Sequence, residues 1–308
     1  NGAYSDRSTG LDKLYKGFKS RLNLSWKITD DILTYYTWSQ GFRPGGFNRG
    51  SGFVGGSSPL AGVFLVPIGF KPDVLTNNEI GWKTQWFNHR LQWNGAIYKE
   101  DWKDVQIGIF DPGVTGNLTF TTNGPDYRVK GAETELVARV TPELSVAGSA
   151  SWNSSELINS PHLVDKAGNP ITTANPYGAQ GSPLSQSPPF QANLRVRYEI
   201  AFNGYDGFVQ LAGTHRSHSY ATTDNLSHEL STVVGQVGPS IAYDMPSFNT
   251  LDASTGISKD TWDMQLYGSN ITDKRADLYT NYNQWIRMTT VNRPRTIGLR
   301  VGYRFGGK

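Results

Sequence analysis

Two carboxylates in the 308-residue sequence have a spacing that could serve catalysis. Glu133 and Glu135 are separated by one residue, so both side chains would lie on the same face of an extended strand. Paired carboxylates on one surface can act as general acid and base, and a soluble, glycan-active β-enzyme would use them in that way. The same geometry suits a structural role, in which each carboxylate meets Arg or Lys side chains on the wall of a sheet. We favour the structural role.

Two histidines are also closely spaced, but their spacing argues against a metal site. His215 and His218 are three residues apart, and on a strand they would point to opposite faces. The sequence has no Cys, which excludes disulfides and thiolate ligands. No Gly-rich phosphate loop follows a strand and opens a helix, so paired glycines such as Gly45 and Gly46 indicate loops. We therefore expect no metal, no cofactor and no catalytic residue.

The segment Thr296–Phe305 shows the pattern that recurs along the chain. Its odd-numbered residues are all apolar, whereas its even-numbered residues are Thr, Gly or Arg. Because side chains alternate between the two faces of a strand, this segment has one apolar and one polar face. Eleven segments are predicted to be strands of this kind: Phe18–Trp26, Ile32–Phe42, Glu79–Phe87, Leu91–Trp102, Tyr127–Arg139, Leu144–Trp152, Phe190–Ile200, Phe208–Tyr220, Phe248–Ile257, Trp262–Ile271 and Thr296–Phe305.

Short and long connections between these segments alternate strictly, so all the long ones would lie at one end of an antiparallel sheet. The short ones lie at 29–31, 88–90, 141–143, 203–207 and 259–260, and the long ones at 43–73, 105–125, 153–187, 221–246 and 272–293. Strands of about 9–11 residues with short periplasmic turns and long extracellular loops are typical of a transmembrane barrel. The sequence therefore predicts an all-β, antiparallel transmembrane β-barrel. A large soluble β-protein is the alternative.

The polar face of each strand would line the lumen of such a barrel, because the bilayer core cannot satisfy charged groups. Trp residues are predicted near strand ends, where aromatic belts lie, at Trp38, Trp86, Trp93, Trp152 and Trp262. The net charge of +3 is too balanced to indicate a nucleic-acid partner. The predicted lumen-facing side chains are Glu133, Glu135, Arg195, Arg197, Arg300 and Arg304.

Several motifs, in order along nearly the whole chain, resemble the C-terminal half of the barrel of TonB-dependent outer-membrane receptors. They are YYTWSQGFRPGGFN at 35–48, NEIGWK at 78–83, Ala96-Ile97-Tyr98 leading to Asp101, KGAETE at 130–135, GSNITDK at 268–274 and Arg293–Phe305 with its Pro294-Arg295-Thr296. The resemblance implies a bacterial outer-membrane receptor that takes up a scarce nutrient with energy transmitted from the inner membrane. It also implies a barrel of about twenty-two strands around a plug domain.

The eleven predicted strands are half of the number that the resemblance implies. We expect the other half of the barrel and the plug to precede Asn1, because a half-barrel would expose two unpaired edges in lipid. The implied partners are outer-membrane lipid, that N-terminal half, the inner-membrane energy-coupling complex reached through it, and a small-molecule ligand. The closing strand of the family commonly ends on an aromatic residue, whereas Phe305 is followed by Gly306-Gly307-Lys308.

Ligand binding in this family would use the extracellular loops and the upper lumen. Aromatic rings interspersed with Arg suit a siderophore-like or other aromatic, anionic ligand through stacking and charge, and they would equally suit a sugar. A receptor without transport activity, or a structural barrel subunit of an envelope complex, is the alternative function. The candidate ligand-binding residues are Arg43, Phe47, Asn48 and Arg49 in one loop, and Tyr279, Tyr282, Trp285 and Arg287 in another.

Overall fold

A single antiparallel sheet of eleven strands organises the chain. The computed structural model describes residues 10–48, 52–53, 65–110, 119–161, 167–170, 177–221, 244–281 and 288–305. Each strand pairs with its neighbours in sequence, so the order in the sheet is the order in the chain. The strands are β1 Arg21–Lys27, β2 Ile32–Arg43, β3 Asp73–Trp86, β4 Leu91–Lys103, β5 Asp126–Arg139, β6 Leu144–Asn159, β7 Phe190–Phe202, β8 Tyr205–Arg216, β9 Phe248–Lys259, β10 Trp262–Ser269 and β11 Thr296–Tyr303.

All eleven predicted strands are confirmed, and the differences lie mainly at their outer ends, next to the long connections. β3 begins at Asp73 rather than Glu79, and β6 continues to Asn159 rather than ending at Trp152. These extensions carry polar residues on both faces, so apolar alternation no longer marks them. Trp152 consequently lies inside β6, and Trp38 lies near the middle of β2, so the prediction that these two residues sit towards strand ends is wrong.

The register of the sheet places the alternating apolar residues of its strands, away from their outer ends, mostly on one face. Leu299 of β11 pairs with Leu266 of β10, and Ile97 of β4 pairs with Ile80 of β3. Ile80 is 61% exposed, Ile97 59% and Leu299 62%. A continuous exposed apolar face of this size is foreign to the surface of a soluble protein and matches a surface that lipid covers.

The short connections are tight turns, and those at 88–90, 203–207 and 259–260 contain residues with positive φ. Asn203 and Gly204 join β7 to β8 with φ values of 49° and 76°, as a two-residue type I′ hairpin requires. Asp260, between β9 and β10, has a φ of 49°. These turns keep neighbouring strands in register at the inner end of the sheet.

The long connections contain paired strands of their own. Gly46–Phe47 pairs with Gly69–Phe70, Gly52–Phe53 with Leu65–Val66, Gln106–Phe110 with Thr119–Asn123, Ser219–Tyr220 with Asp244–Met245, and Asp277–Asn281 with Met288–Val291. Four of the five long connections therefore contain an ordered hairpin beyond the end of the main sheet, whereas the described residues between β6 and β7 contain none. Over the ranges that the structure describes, no helix has the length and apolar character needed to cross a membrane.

A small apolar cluster lies where the outer ends of β4, β5 and β6 meet the loops. Tyr127 pairs with Trp102 on one side and with Leu157 on the other, and Val105 packs against them. Leu184, from the connection after β6, also contacts the cluster. Because Tyr127 alternates in phase with Glu133, this cluster lies on the polar face of the sheet and anchors the loops above it.

Candidate ligand-binding site

The polar face of the sheet forms an open hollow that crosses several strands. Glu133 is opposite Ser151, and Glu135 is opposite Ser149, which in turn is opposite Asn193. These side chains line a hollow of about 790 Å³, together with residues of β2, β3, β4 and β8. The predicted grouping of Glu133, Glu135, Arg195, Arg197 and Arg300 on one face follows from the register of β5 to β11. Arg304 lies just beyond β11, where its backbone N–H donates to the Thr261 carbonyl at 2.8 Å.

Acidic and basic side chains are mixed along this face. Glu133 and Glu135 of β5 share the face with Arg139 of the same strand. Further along the sheet, Arg195 of β7 shares it with Glu199. The polar face thus carries charges of both signs across its width.

One of these cations already has local partners. The Arg197 guanidinium lies 3.8 Å from the centre of the Phe208 ring, and its Nε donates to Glu199 at 3.2 Å. A guanidinium held by a ring and a carboxylate is oriented along the wall. Arg197 therefore contributes a fixed charge to the polar face.

Tyrosines lie flat over glycines on the polar face, an arrangement that the sequence analysis missed. Tyr35 covers Gly81 and donates its hydroxyl proton to Glu79 at 2.8 Å. Tyr98 covers Gly131 in the same way, and a Cβ on Gly131 would lie 2.4 Å from that ring. The sequence does contain a signal for this arrangement. Each glycine lies inside a strand of alternating apolar and polar residues and is opposite a tyrosine of the adjacent strand.

The outer rim of the sheet is held together by Asp73, which sequence reasoning also missed. The Asp73 carboxylate is buried and accepts hydrogen bonds from the Arg43 side chain at Nε (2.8 Å) and from its backbone N–H (3.2 Å). The Gln106 backbone N–H donates to the same carboxylate at 3.2 Å. Arg43 stacks on Trp102, with its guanidinium carbon 5.0 Å from the ring centre. The rim thus presents a half-exposed guanidinium on an aromatic ring, oriented by a buried carboxylate.

The environment of Asp73, outside the lipid-facing part of β3, favours its charged form. Burial alone would raise the pKa of this carboxyl, but the hydrogen bond from Arg43 and the Gln106 backbone N–H outweigh burial. The pKa of Asp73 consequently lies below its ordinary value. Asp73 therefore stays ionised, and Arg43 stays paired, throughout the neutral range.

Asn48 links two loops above the rim. Its Nδ2 donates to the carbonyls of Pro67 (2.7 Å) and Thr121 (2.8 Å), and its Oδ1 accepts the Thr121 N–H at 2.7 Å. Its side-chain polar atoms are thus engaged within the chain. Neighbouring Phe47 packs beside Gly69 and is 38% exposed, so its ring remains available at the surface. Arg49 lies outside the described residues.

The second candidate loop is described only in part. Tyr279 belongs to the hairpin Asp277–Asn281/Met288–Val291, pairs with Thr290 and is 42% exposed. The Leu278 carbonyl in the same hairpin accepts a hydrogen bond from Arg216 at 3.5 Å. Tyr282, Trp285 and Arg287 lie outside the described residues. The structure therefore places Arg43, Phe47 and Asn48 at or just above the same part of the rim, each with its own partners, and Tyr279 on a separate hairpin.

The two histidines of the sequence analysis have different partners. His215 Nδ1 lies 2.7 Å from the Asn249 side chain on the apolar face. His218 Nε2 contacts the Asp244 carboxylate in the hairpin beyond β8. The two rings thus take part in separate contacts.

The GSNITDK motif closes the connection between β10 and β11. Asn270 Nδ2 donates to the carbonyls of Lys274 (2.9 Å) and Arg293 (3.0 Å), and Asn270 Oδ1 accepts the Lys274 N–H at 3.0 Å. The Asp273 carboxylate accepts the Arg295 N–H at 2.9 Å. The motif therefore fixes both ends of the last outer loop.

Comparison with known proteins assigns this architecture to a family. The TonB dependent receptor-like, beta-barrel family matches residues 2–271. The ferric yersiniabactin uptake receptor FyuA from Yersinia pestis aligns with 94% of this chain at 20% identity and a TM-score of 0.66. The siderophore receptor PiuA from Acinetobacter baumannii aligns with 92% at 16% identity (TM-score 0.64), and the ferric-catecholate import receptor Fiu from K12 E. coli with 93% at 20% identity (TM-score 0.62).

These structural similarities concern the fold, and the chain spans only 37%, 35% and 35% of the three receptors. The family is one of transport receptors in the outer membrane of Gram-negative bacteria. The match over residues 2–271, the eleven-stranded sheet and its lipid-type apolar face agree with one another. The chain belongs to the TonB-dependent receptor family, as part of its outer-membrane β-barrel.

Proposed function

We propose that this chain forms part of a receptor that imports a scarce, small anionic ligand, of the ferric-siderophore type, across the outer membrane. Receptors with the same fold are described as taking up ferric yersiniabactin and as importing ferric catecholates. The copper transporter OprC also has this fold, at 14% identity and a TM-score of 0.59. The fold alone therefore does not identify the imported ligand, and the side chains at the rim indicate its chemical class.

The observation that carries the proposal is the stacking of Arg43 on Trp102 at the outer end of the polar wall. A guanidinium held flat on an aromatic ring offers both charge and a planar surface, which suits an anionic ligand that contains aromatic groups. Phe47 lies in the connection after β2 and Tyr279 in the hairpin after β10, and both rings are exposed at the outer end of the sheet. The polar face continues below this end. The proposed site also includes four residues whose charged or aromatic side chains suit the same ligand: Arg49, Tyr282, Trp285 and Arg287.

The proposal includes a larger barrel and a plug. β1 and β11 each pair with one strand of the described sheet, and such an edge in lipid leaves backbone groups without partners. We expect further strands of the same receptor to pair with these edges. The energy for import would reach the ligand through the plug and the inner-membrane complex.

The experiment that tests this function is uptake of radiolabelled iron by cells whose own receptors for the chelate are deleted. Cells that express the full receptor are given ⁵⁵Fe bound to catecholate, hydroxamate or mixed siderophores, with and without a protonophore. We expect saturable uptake of at least one anionic chelate, lost on addition of the protonophore while surface binding is retained. Binding without energy-dependent uptake would favour the non-transporting receptor. Absence of binding to every chelate would contradict the proposed ligand class.

A further inference from the structure

Two lysines lie directly opposite each other on the outward, apolar face of the sheet. Lys99 of β4 and Lys130 of β5 are cross-strand partners, and their neighbours in the same row are Asn78 and Ser154. Both lysine side chains are exposed. Like charges in directly opposite positions repel each other, and the flanking Asn and Ser bring no compensating charge. This row therefore has an excess of positive charge.

The next row outward adds a third cation and two carboxylates. The Asp101 carboxylate accepts from Arg128 Nε at 2.8 Å and pairs with Lys99 Nζ at 3.0 Å. Glu156 is opposite Arg128 on β6. Lys130 forms no ion pair with any residue in the described part of the chain. We call Lys99, Arg128 and Lys130 the basic patch. Asp101 and Glu156 offset two of its three charges, so one positive charge remains in excess.

The basic patch lies at the outer limit of the apolar band. Ile97 and Ala132 immediately precede it on the same face, towards the inner turns. At about 3.3 Å per residue and a strand tilt of roughly 40°, Lys99 stands about 20 Å above Leu91, close to the height of the apolar band of a barrel, about 25 Å. The long connections mark this end as the extracellular one. The patch thus lies where the acyl chains of the outer leaflet meet their headgroups.

We propose that the basic patch binds the phosphate groups of a phosphorylated lipid of the outer leaflet. Phosphate oxygens accept several charge-assisted hydrogen bonds, from the two ammonium groups and the guanidinium together. An anion bound between Lys99 and Lys130 would attract both ammonium groups and so offset the repulsion between them. A lipid fits better than a free anion, because the apolar band formed by Ile80, Ile97 and Trp152 continues directly below the patch and would contact its acyl chains.

The test measures binding of lipopolysaccharide to the full receptor, purified in mild detergent and stripped of lipid. Fluorescent lipopolysaccharide that carries its phosphates is titrated against the wild type and against a Lys99→Gln/Lys130→Gln variant. Because the double variant lacks two of the three cations that would contact the phosphates, we expect its affinity to fall about tenfold or more. A Lys99→Arg/Lys130→Arg variant keeps the charges and is expected to bind like the wild type.

Lys259→Gln is the matched control. Lys259 also lies on the outward face, but at the inner end of β9, where its Nζ is 4.5 Å from the centre of the Tyr205 ring. This variant is expected to bind lipopolysaccharide as the wild type does. Heat-modifiable mobility in gels establishes that each variant is a folded barrel.

Two further arms separate a lipid from a free anion. Enzymatically dephosphorylated lipopolysaccharide is expected to bind no better to the wild type than to the double variant. Inorganic phosphate at the same phosphate concentration is expected not to displace the labelled lipid. Equal binding by the wild type and the folded double variant would overturn the proposal, as would undiminished binding of the dephosphorylated lipid. Displacement by equimolar inorganic phosphate would identify the patch as a site for free anions instead.

Discussion

The Nε of Arg43 donates a 2.8 Å hydrogen bond to the Asp73 carboxylate, which is 1% exposed and also accepts the Gln106 N–H. One carboxylate thereby joins the end of β2, the start of β3 and the hairpin that follows β4. Arg43 and Asp73 lie at the two ends of the connection between β2 and β3, and Gln106 lies in the connection after β4. The Asp73 carboxylate therefore ties these two outer loops to each other.

Asp73→Asn should loosen the outer loops and leave the barrel wall intact. The change removes the charge opposite Arg43 and one acceptor, and the loss of a hydrogen bond to a charged group costs about 2 kcal/mol. We expect faster proteolysis within 43–73 and 105–125 with unchanged heat-modifiable mobility. Asp104→Asn is the matched control, since Asp104 lies nearby but is exposed. Equal protection of the loops in Asp73→Asn and the wild type would contradict the role given to Asp73.

The lowered pKa of Asp73 predicts that the rim weakens only in acid. A carboxyl whose folded pKa lies below its unfolded value of about 3.9 contributes stability that is present above that value and is lost as the pH falls through the folded pKa. Hydrogen exchange of the peptide 106–110, corrected for its intrinsic rate, should be constant from neutral pH to about pH 4. Below about pH 4 the rate of hydrogen exchange of this peptide should increase. Asp73→Asn should lack this acid step, and an identical acid step in both proteins would assign it to another group.

The strands could be predicted from the sequence, whereas the side-chain contacts at the rim could not. Both outcomes have physical reasons. Alternation identifies residues such as Leu299 and Arg300 because lipid covers one face and water the other. Above the bilayer both faces are wet, so the outer part of β3 from Asp73 carries no such pattern. Asp73 is 30 residues from Arg43 and 33 from Gln106, and no local rule joins them. For the same reason the sequence does not indicate that the Asn48 side chain bridges two loops, and its predicted contact with the ligand stays a prediction.

Gly131→Ala should destabilise the barrel, because the new Cβ would lie 2.4 Å from the Tyr98 ring. The ring would have to leave its position, and overpacking of this kind costs about 1–3 kcal/mol. The measurement is the temperature at which heat-modifiable mobility is lost. Gly41→Ala is the control, since Gly41 lies on the same face with no atom within 4 Å of its Cβ position. A second change, Tyr98→Ala, should restore part of the loss, whereas equal effects of the two glycine substitutions would contradict steric contact.

Tyr279 provides a test of the proposed ligand site that leaves the side-chain contacts at the rim untouched. Its ring is 42% exposed on the last outer hairpin, and the pairing of that hairpin is made by backbone groups. If the ring stacks on an aromatic ligand, Tyr279→Ala should weaken binding of the imported chelate by about two- to tenfold, because such contacts contribute about 0.5–1.5 kcal/mol. Tyr279→Phe should keep most of the affinity.

Met288→Ala is the matched control, as Met288 is exposed in the opposing strand of the same hairpin. Equilibrium binding of the ⁵⁵Fe chelate to de-energised cells measures this effect apart from transport. Unchanged binding in Tyr279→Ala would remove this hairpin tyrosine from the site and leave the Arg43–Trp102 rim as the part still to be tested.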